Sequence, residues 1–277
     1  ESANYGEALE GVEYIRGDVL DSKLVMELTR GRDVVVHAAG VAGIDTVGLA
    51  PVRTIRTNAL GTESVLRAAM EQDVAGRVIC FSTSEVFGTL AYDVRENAPT
   101  SIGPVGETRW TYAASKLLSE HLALAYWQEF HLPSVVVRPF NVYGPGQIGE
   151  GAVRKFVLRA IANESITING SGTQIRSWCF VDDFVDGIIL CAEEQNAVGN
   201  SFNIGNAEAT VTTRDLAQRI IEIADSRSQI HHGPDLQADI QIRVPNTEKA
   251  NRLLGYTPKV SLSEGLVQTV ADARGNS

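Results

Sequence analysis

Residues 33–40 read Asp33-Val34-Val35-Val36-His37-Ala38-Ala39-Gly40. The run is short, β-branched and apolar without polar alternation, which is the pattern of a parallel strand covered on both faces. Toward the N-terminus, 12–16 reads as a strand closed by Gly17-Asp18, and 22–29 as an amphipathic helix with apolar Leu24, Val25 and Leu28. Toward the C-terminus come a helix over 51–70, a strand over 77–82, an irregular stretch to about Arg109, a helix over 110–130 and a strand over 134–138. Strands that alternate with helices in this way predict βαβ units and an α/β fold with a doubly wound parallel sheet. After Gly144 the pattern loosens, with a helix over 152–162, a short strand over 166–168, and capping-box signatures at Thr212-x-x-Asp215 and Ser261-x-x-Glu264. The expected division is 1–145 for a dinucleotide-binding domain and 146–277 mainly for a smaller α/β substrate lobe.

The 277 residues carry 24 Lys+Arg against 34 Asp+Glu, a formal charge of −10, and contain no basic run of five residues. A nucleic-acid partner is therefore not expected, because the electrostatic footprint is missing. No stretch approaches 18 uninterrupted apolar residues, and the start lacks a signal-peptide pattern, so no membrane partner is expected. Three cysteines (Cys80, Cys179, Cys191) cannot all pair internally, which predicts free thiols and a reducing cytoplasm. The five histidines lie without acidic or cysteine partners at metal spacing, so no metal is expected. A G-x-S-x-G elbow is absent, which leaves a serine hydrolase unsupported.

The chemistry-bearing constellation is Thr83-Ser84-Glu85 at the end of the 77–82 strand, with Tyr112-x-x-x-Lys116 early in the next helix. Ligands of open parallel sheets bind beyond the carboxyl ends of strands, so Thr83 to Glu85 would face that crevice. Positions i and i+4 share a helix face, which predicts the Lys116 ammonium beside the Tyr112 phenol, where it would lower the phenol pKa and make a base. A bare Tyr-x-x-x-Lys also occurs on ordinary surface helices. The strand-end triplet is what favours a site.

Several further stretches carry a resemblance: Gly17-Asp18-Val19-Leu20-Asp21, His37-Ala38-Ala39-Gly40, Thr57-Asn58-x-x-Gly61-Thr62, Phe81-Ser82-Thr83-Ser84-Glu85-Val86-Phe87-Gly88, Tyr112-x-x-x-Lys116, Arg138-Pro139-Phe140-Asn141-Val142-Tyr143-Gly144-Pro145 and Gln174-Ile175-Arg176. From Gly17 onward the chain resembles the extended short-chain dehydrogenases/reductases that modify nucleotide sugars with bound NAD. The resemblance implies a Rossmann-like fold. It places Asp18 and Val19, His37 to Gly40, Asn58, Tyr112 and Lys116 around the cofactor, with Asp18 on adenine, Tyr112 as base and Lys116 as ribose anchor. It puts Thr83 on the sugar hydroxyl, Asn141 in the substrate site, and Arg176 and Arg243 on the diphosphate. An arginine fork matches phosphate oxygens, so few cations suffice on an acidic chain.

Within the family a carboxylate at the place of Glu85 accompanies 4,6-dehydratases and UDP-glucuronate decarboxylases, whereas 4-epimerases resemble Ser-Ser-Ser or Ser-Ser-Ala there. Glu85 therefore suggests proton movement at C5, which a 4-ketone acidifies. The segments 50–58 and 103–112 look like those of UDP-glucuronate decarboxylases, which makes decarboxylation the expected reaction, ahead of 4,6-dehydration and 4-epimerisation. A non-catalytic dinucleotide-binding regulator is the alternative of a different class. A homodimer through the 52–70 and 112–127 helices is implied by resemblance alone.

The family's first strand and its glycine-rich pyrophosphate turn do not occur in the 277 residues. The one literal G-x-G-x-x-G, Gly144 to Gly149, holds Pro145 and falls in the substrate-side loop, so it is not read as the cradle. The expectation is that the chain is a fragment, inactive alone, whose glycine-rich unit precedes Glu1.

Overall fold

The computed structural model describes residues 9–234 and 240–275; the first eight residues of the expected 1–145 domain lie outside them. In chain order the elements are α1 (Ser22–Thr29), β1 (Val34–His37), α2 (Ile44–Leu49), α3 (Pro51–Ile55), a π turn (Arg56–Leu60), α4 (Gly61–Glu71), β2 (Arg77–Phe81), a 3₁₀ turn (Ser84–Phe87), β3 (Leu90–Val94), α5 (Thr108–Phe130) and β4 (Ser134–Pro139). There follow β5 (Val142–Tyr143), α6 (Ala152–Ile161), β6 (Ile166–Asn169), β7 (Ile175–Ser177), β8 (Cys179–Phe180), α7 (Val181–Glu193), β9 (Ser201–Ile204), β10 (Thr210–Thr212), α8 (Thr213–Ile223), β11 (Ile230–Gly233), β12 (Ile242–Pro245), α9 (Glu248–Leu254) and α10 (Leu262–Gly275).

The main sheet runs β1-β2-β4-β9, every neighbouring pair parallel, with Val34 opposite Arg77, Val78 opposite Ser134 and Val136 opposite Ser201. Side chains alternate across it. Val78, Cys80 and Val136 pack with Leu66, Ala69 and Ala123 of α4 and α5 on one face. Ile79, Val135 and Val137 pack with Phe184 and Cys191 of α7 and with Ala250 and Leu254 of α9 on the other. Helices thus cover both faces of β2 and β4, where each fully buried aliphatic side chain contributes about 1.5–3 kcal/mol, whereas β1, expected to be covered on both faces, leaves Val34 and Val36 42% and 49% exposed. The fold is an α/β Rossmann type.

The 146–277 segment builds a second core around α6, α8 and α10, yet it also returns β9 to the main sheet. The second sheet runs β10-β7-β12-β3 and brings Arg243 of β12 opposite both Ala91 and Arg176.

Local readings are corrected in four further places. Residues 12–16 form no strand; Val12 and Ile15 are 50% and 42% exposed, and no described strand pairs with them. The single helix expected over 51–70 is instead α3, the π turn and α4, because one extra residue is accommodated at Arg56–Leu60. The stretch expected to be irregular up to Arg109 contains the 3₁₀ turn and β3. At Ser261 both halves of the capping box form, with Ser261 N donating to Glu264 Oε2 and Glu264 N to Ser261 Oγ, whereas at Thr212 only the hydroxyl half does.

Candidate active site

β2 ends at Phe81, and the backbone turns at Thr83, whose hydroxyl accepts from the Glu85 amide at 3.2 Å and starts the 3₁₀ turn. This turn aims Thr83, Ser84 and Glu85 into a cleft of about 600 Å³ beyond the carboxyl ends of the main strands. Tyr112, Asn141, Arg109, Arg176 and Arg243 line the same cleft. Sequence-separated candidates therefore converge on one concavity, which is the geometry an active site requires.

The expected Tyr112–Lys116 couple needs correction. Lys116 is buried and spends its ammonium on the Phe81 carbonyl at 2.8 Å. Burial lowers the Lys116 pKa to about 8. The Tyr112 phenol is pushed up to about 12, chiefly by burial and then by the negative charge of Glu85, while a hydrogen bond with the Thr83 side chain works in the opposite direction. Shared helix face sets both groups at the end of β2, but burial and the Glu85 charge, not the ammonium, govern the phenol. The phenol of the protein alone is a proton donor at neutral pH.

Arg243, expected on the diphosphate, lies 2% exposed beneath the corner, where Nη1 donates to Ser84 Oγ at 3.1 Å and Nη2 to the Gly88 carbonyl at 2.6 Å. Burial lowers its pKa to about 10, against the favourable charge of Glu85. Arg176 donates to the carbonyls of Ile175, Ile240 and Gln241. Asn141 sits at φ 42° and donates from Nδ2 to the Ser177 carbonyl at 2.8 Å.

Sequence reading overlooked Arg109. It lies three residues before Tyr112, on the same face of α5, with Nη2 3.9 Å from Glu85 Oε1 and the side chain 14% exposed. Its Nε has no hydrogen-bond partner, nor do Arg243 Nε, Trp178 Nε1 and Gln147 Oε1 in the same cleft. Buried polar atoms are normally satisfied, so these four are departures from the rule in the wall of this cleft.

The other candidates gather beside α1 and β1. Asp18 accepts from the Leu20 amide at 2.9 Å, and Asp18, Val19, His37 and Ala39 line a cavity of about 400 Å³. Ala38 and Gly40 are exposed at the end of β1. Asn58, on the π turn, accepts from Val41 N at 2.7 Å and donates to the Val41 carbonyl and to Ser115 Oγ, both at 3.0 Å. His37 contacts Thr62 Oγ1 at 3.0 Å, and burial followed by the Lys116 charge lowers its pKa to about 4. A Cβ on Gly40 would lie 3.0 Å from Asn58 Oδ1 and 3.3 Å from Lys116 Nζ, so glycine keeps the approach to these polar groups open. An acidic carboxylate at one end and a shielded ammonium at the other fit the adenosine and nicotinamide-ribose ends of a dinucleotide. Among the described residues no group of three or more His, Cys, Asp or Glu could hold a metal, and no helix is long and apolar enough to cross a membrane.

The profile of the NAD dependent epimerase/dehydratase family matches residues 1–205. A UDP-N-acetyl-alpha-D-glucosaminuronate decarboxylase of Bacillus cytotoxicus is 32% identical over 97% of this chain and 85% of its own length. UDP-glucuronic acid decarboxylase 2 of Arabidopsis thaliana is 35% identical over 95% of this chain, which spans 57% of that relative's length. Among solved structures, the UDP-glucuronic acid 4-epimerase of Bacillus cereus, in complex with UDP-glucuronic acid and NAD, superposes with a TM-score of 0.88 at 28% identity, covering 96% of this chain and 82% of that one.

Proposed function

The chain belongs to the NAD dependent epimerase/dehydratase family, and on that premise we propose that it modifies a nucleotide-diphosphate sugar acid through a 4-keto intermediate, with UDP-glucuronate decarboxylation the reaction that its cleft supports best. The observation that carries this reading is Arg109, a mostly buried cation that lines the cleft with its Nη2 3.9 Å from Glu85 Oε1 at the strand-end corner. A guanidinium in that place is suited to a carboxylate on the sugar ring.

Asp18 and Val19, with His37 to Gly40 and Asn58, would hold NAD together with Tyr112 and Lys116. NAD, when bound, supplies a hydride acceptor that later serves as donor, and its positive ring helps ionise a phenol otherwise raised to about 12. Tyr112 then takes the proton of the C4 hydroxyl, which Thr83 orients. With C4 a ketone, the bond between C5 and the carboxylate carbon breaks, its electron pair enters the C4 carbonyl, and carbon dioxide leaves. Thr83, Ser84 and Tyr112 donate toward the developing oxyanion. Glu85 relays to C5 the proton it then needs, drawn from water, since the exchange of carbon dioxide for hydrogen takes up one proton from solvent. Arg176 and Asn141 bind the nucleotide diphosphate and sugar, while Arg243 braces Ser84.

Incubation of the protein together with its expected glycine-rich unit, with NAD and UDP-glucuronate and product mass as readout, tests the proposal. Loss of one carbon dioxide supports it; an unchanged mass with a new C4 epimer would replace it with epimerisation. Glu85 also suits 4,6-dehydration, which loss of water from a neutral sugar nucleotide would reveal. Thr83, Ser84, Glu85 and Tyr112 lining one cleft favour an enzyme over a regulator that only senses the dinucleotide. Exposed Val52, Ile55, Leu60 and Leu118 on α3, the π turn and α5 support a homodimer. Three free buried cysteines support a reducing, cytoplasmic setting.

A further inference from the structure

Three successive turns of α5 reach the end of β2 and the corner that follows it. Tyr112 faces Thr83 across the cleft, close enough for the Thr83 hydroxyl to favour the ionised phenol, Lys116 donates to the Phe81 carbonyl at 2.8 Å, and Glu120 accepts from the Ser82 hydroxyl. Residues four apart lie on one helix face, so the three contacts form one row. The lowest contact has its own anchor. Arg138 of β4 grips Glu120 with two hydrogen bonds, Nε to Oε1 at 2.9 Å and Nη2 to Oε2 at 2.6 Å. Its Nη1 donates to the Glu96 carbonyl at 3.0 Å, and its guanidinium carbon lies 4.9 Å from the centre of the Phe87 ring. Side chains of this pair are 6% and 4% exposed. Arg138 thus joins α5, β4 and the 3₁₀ turn that follows Thr83.

Desolvating two charges is costly, and well-packed apolar residues often replace such a pair without loss. The row has a specific geometric result, however. It fixes Ser82, and hence its neighbour Thr83, relative to the helix that carries Tyr112. We infer that Ser82, with the Glu120–Arg138 pair behind it, is a positioning unit that sets the register between the Tyr112 phenol and the Thr83 hydroxyl. The Ser82 hydroxyl is committed to Glu120 and acts on the sugar only through that register. This rests on the reading of Tyr112 as the base.

The test compares Ser82→Ala, which deletes one hydroxyl, with Ser82→Thr, which restores it. With NAD and UDP-glucuronate, Ser82→Ala lowers kcat by about 10- to 100-fold, the scale of a small misplacement at a reacting centre, and leaves KM within about twofold. Ser82→Thr recovers most of kcat. A second readout uses NAD-bound protein without sugar, labelled with ¹³C at the tyrosine ring and assigned with Tyr112→Phe. In Ser82→Ala the Tyr112 phenol titrates about one pH unit higher, because its contact with Thr83 is loosened. A wild-type titration midpoint in Ser82→Ala overturns the inference, as does a rise in KM that accounts for the whole loss. If wild-type protein fails to decarboxylate UDP-glucuronate, the proposed reaction falls while the titration still decides the positioning role.

Discussion

Arg109→Met separates a carboxylate site from a general sugar site. Methionine keeps an apolar stem in the cleft wall and removes the charged fork. The guanidinium lines the cleft with Nη2 3.9 Å from Glu85 Oε1, too far for a hydrogen bond, which leaves that end of the fork able to turn to a ligand carboxylate. A hydrogen bond to a charged group contributes about 1.5–3 kcal/mol. At about 1.4 kcal/mol per factor of ten, kcat/KM for UDP-glucuronate should fall roughly 10- to 150-fold. UDP-glucose, which has the same ring and nucleotide but no carboxylate, should bind within about threefold of wild type by calorimetry. Equal losses for acid and neutral sugar would refute the reasoning, because Arg109 would then serve the shared part of the ligand. A loss below about threefold for the acid would do the same.

Other expectations concern the scaffold and the cofactor side. Arg138→Met should cost about 3–5 kcal/mol, since it strands the Glu120 carboxylate in a site 4% exposed, and the double variant with Glu120→Gln should recover at least half; denaturant melts of the three proteins decide it. Gly40→Ala should weaken NAD binding by about tenfold, as its Cβ would crowd Asn58 and Lys116, with little change in melting temperature; an unaltered Kd in fluorescence titration would count against the cofactor placement. His37 has a folded pKa near 4, below its unfolded value of 6.5. The unfolded chain therefore binds the extra proton between those values, so the stability this residue contributes is present above pH 6.5 and is lost as pH falls toward 4, by about 3 kcal/mol. His37→Gln should flatten that acid limb, and an identical slope in both proteins would contradict the assignment.

Sequence alone located most of the main sheet because β2 and β4 are buried on both faces and must be apolar throughout, while β1 keeps the same Val-rich signature although Val34 and Val36 are exposed. Helix α1 was legible to the residue, since Asp21 caps it by accepting from Lys23 and Leu24 amides. β3 was not, because Leu90 and Tyr92 point to solvent while only Ala91 is buried, so its alternation is inverted. In the site, spacing brought Tyr112 and Lys116 to one corner but could not say that a backbone carbonyl would claim the ammonium. Arg109 stood at the i, i−3 position from Tyr112 and was readable by the same rule. The bracing of Arg243 against Ser84 spans 159 residues and depends on β12 lying beside β3, which no local pattern announces.

The π turn at Arg56–Leu60 fixes more than the local path of the backbone. It carries the one side chain, Asn58, that clasps Val41 and Ser115 together, and it hands the chain to α4 with Leu66 and Ala69 directed at the sheet. Each α-helical residue advances about 100° around the axis. Deleting one residue here would let the segment relax into regular α-helix, turn the apolar stripe of α4 away from β2, and withdraw the asparagine from its clasp. A change in chain length of a single unit would thus be felt at once in the hydrophobic layer and in the Val41–Ser115 clasp, whereas a side-chain replacement on the same turn's outer surface would leave both intact.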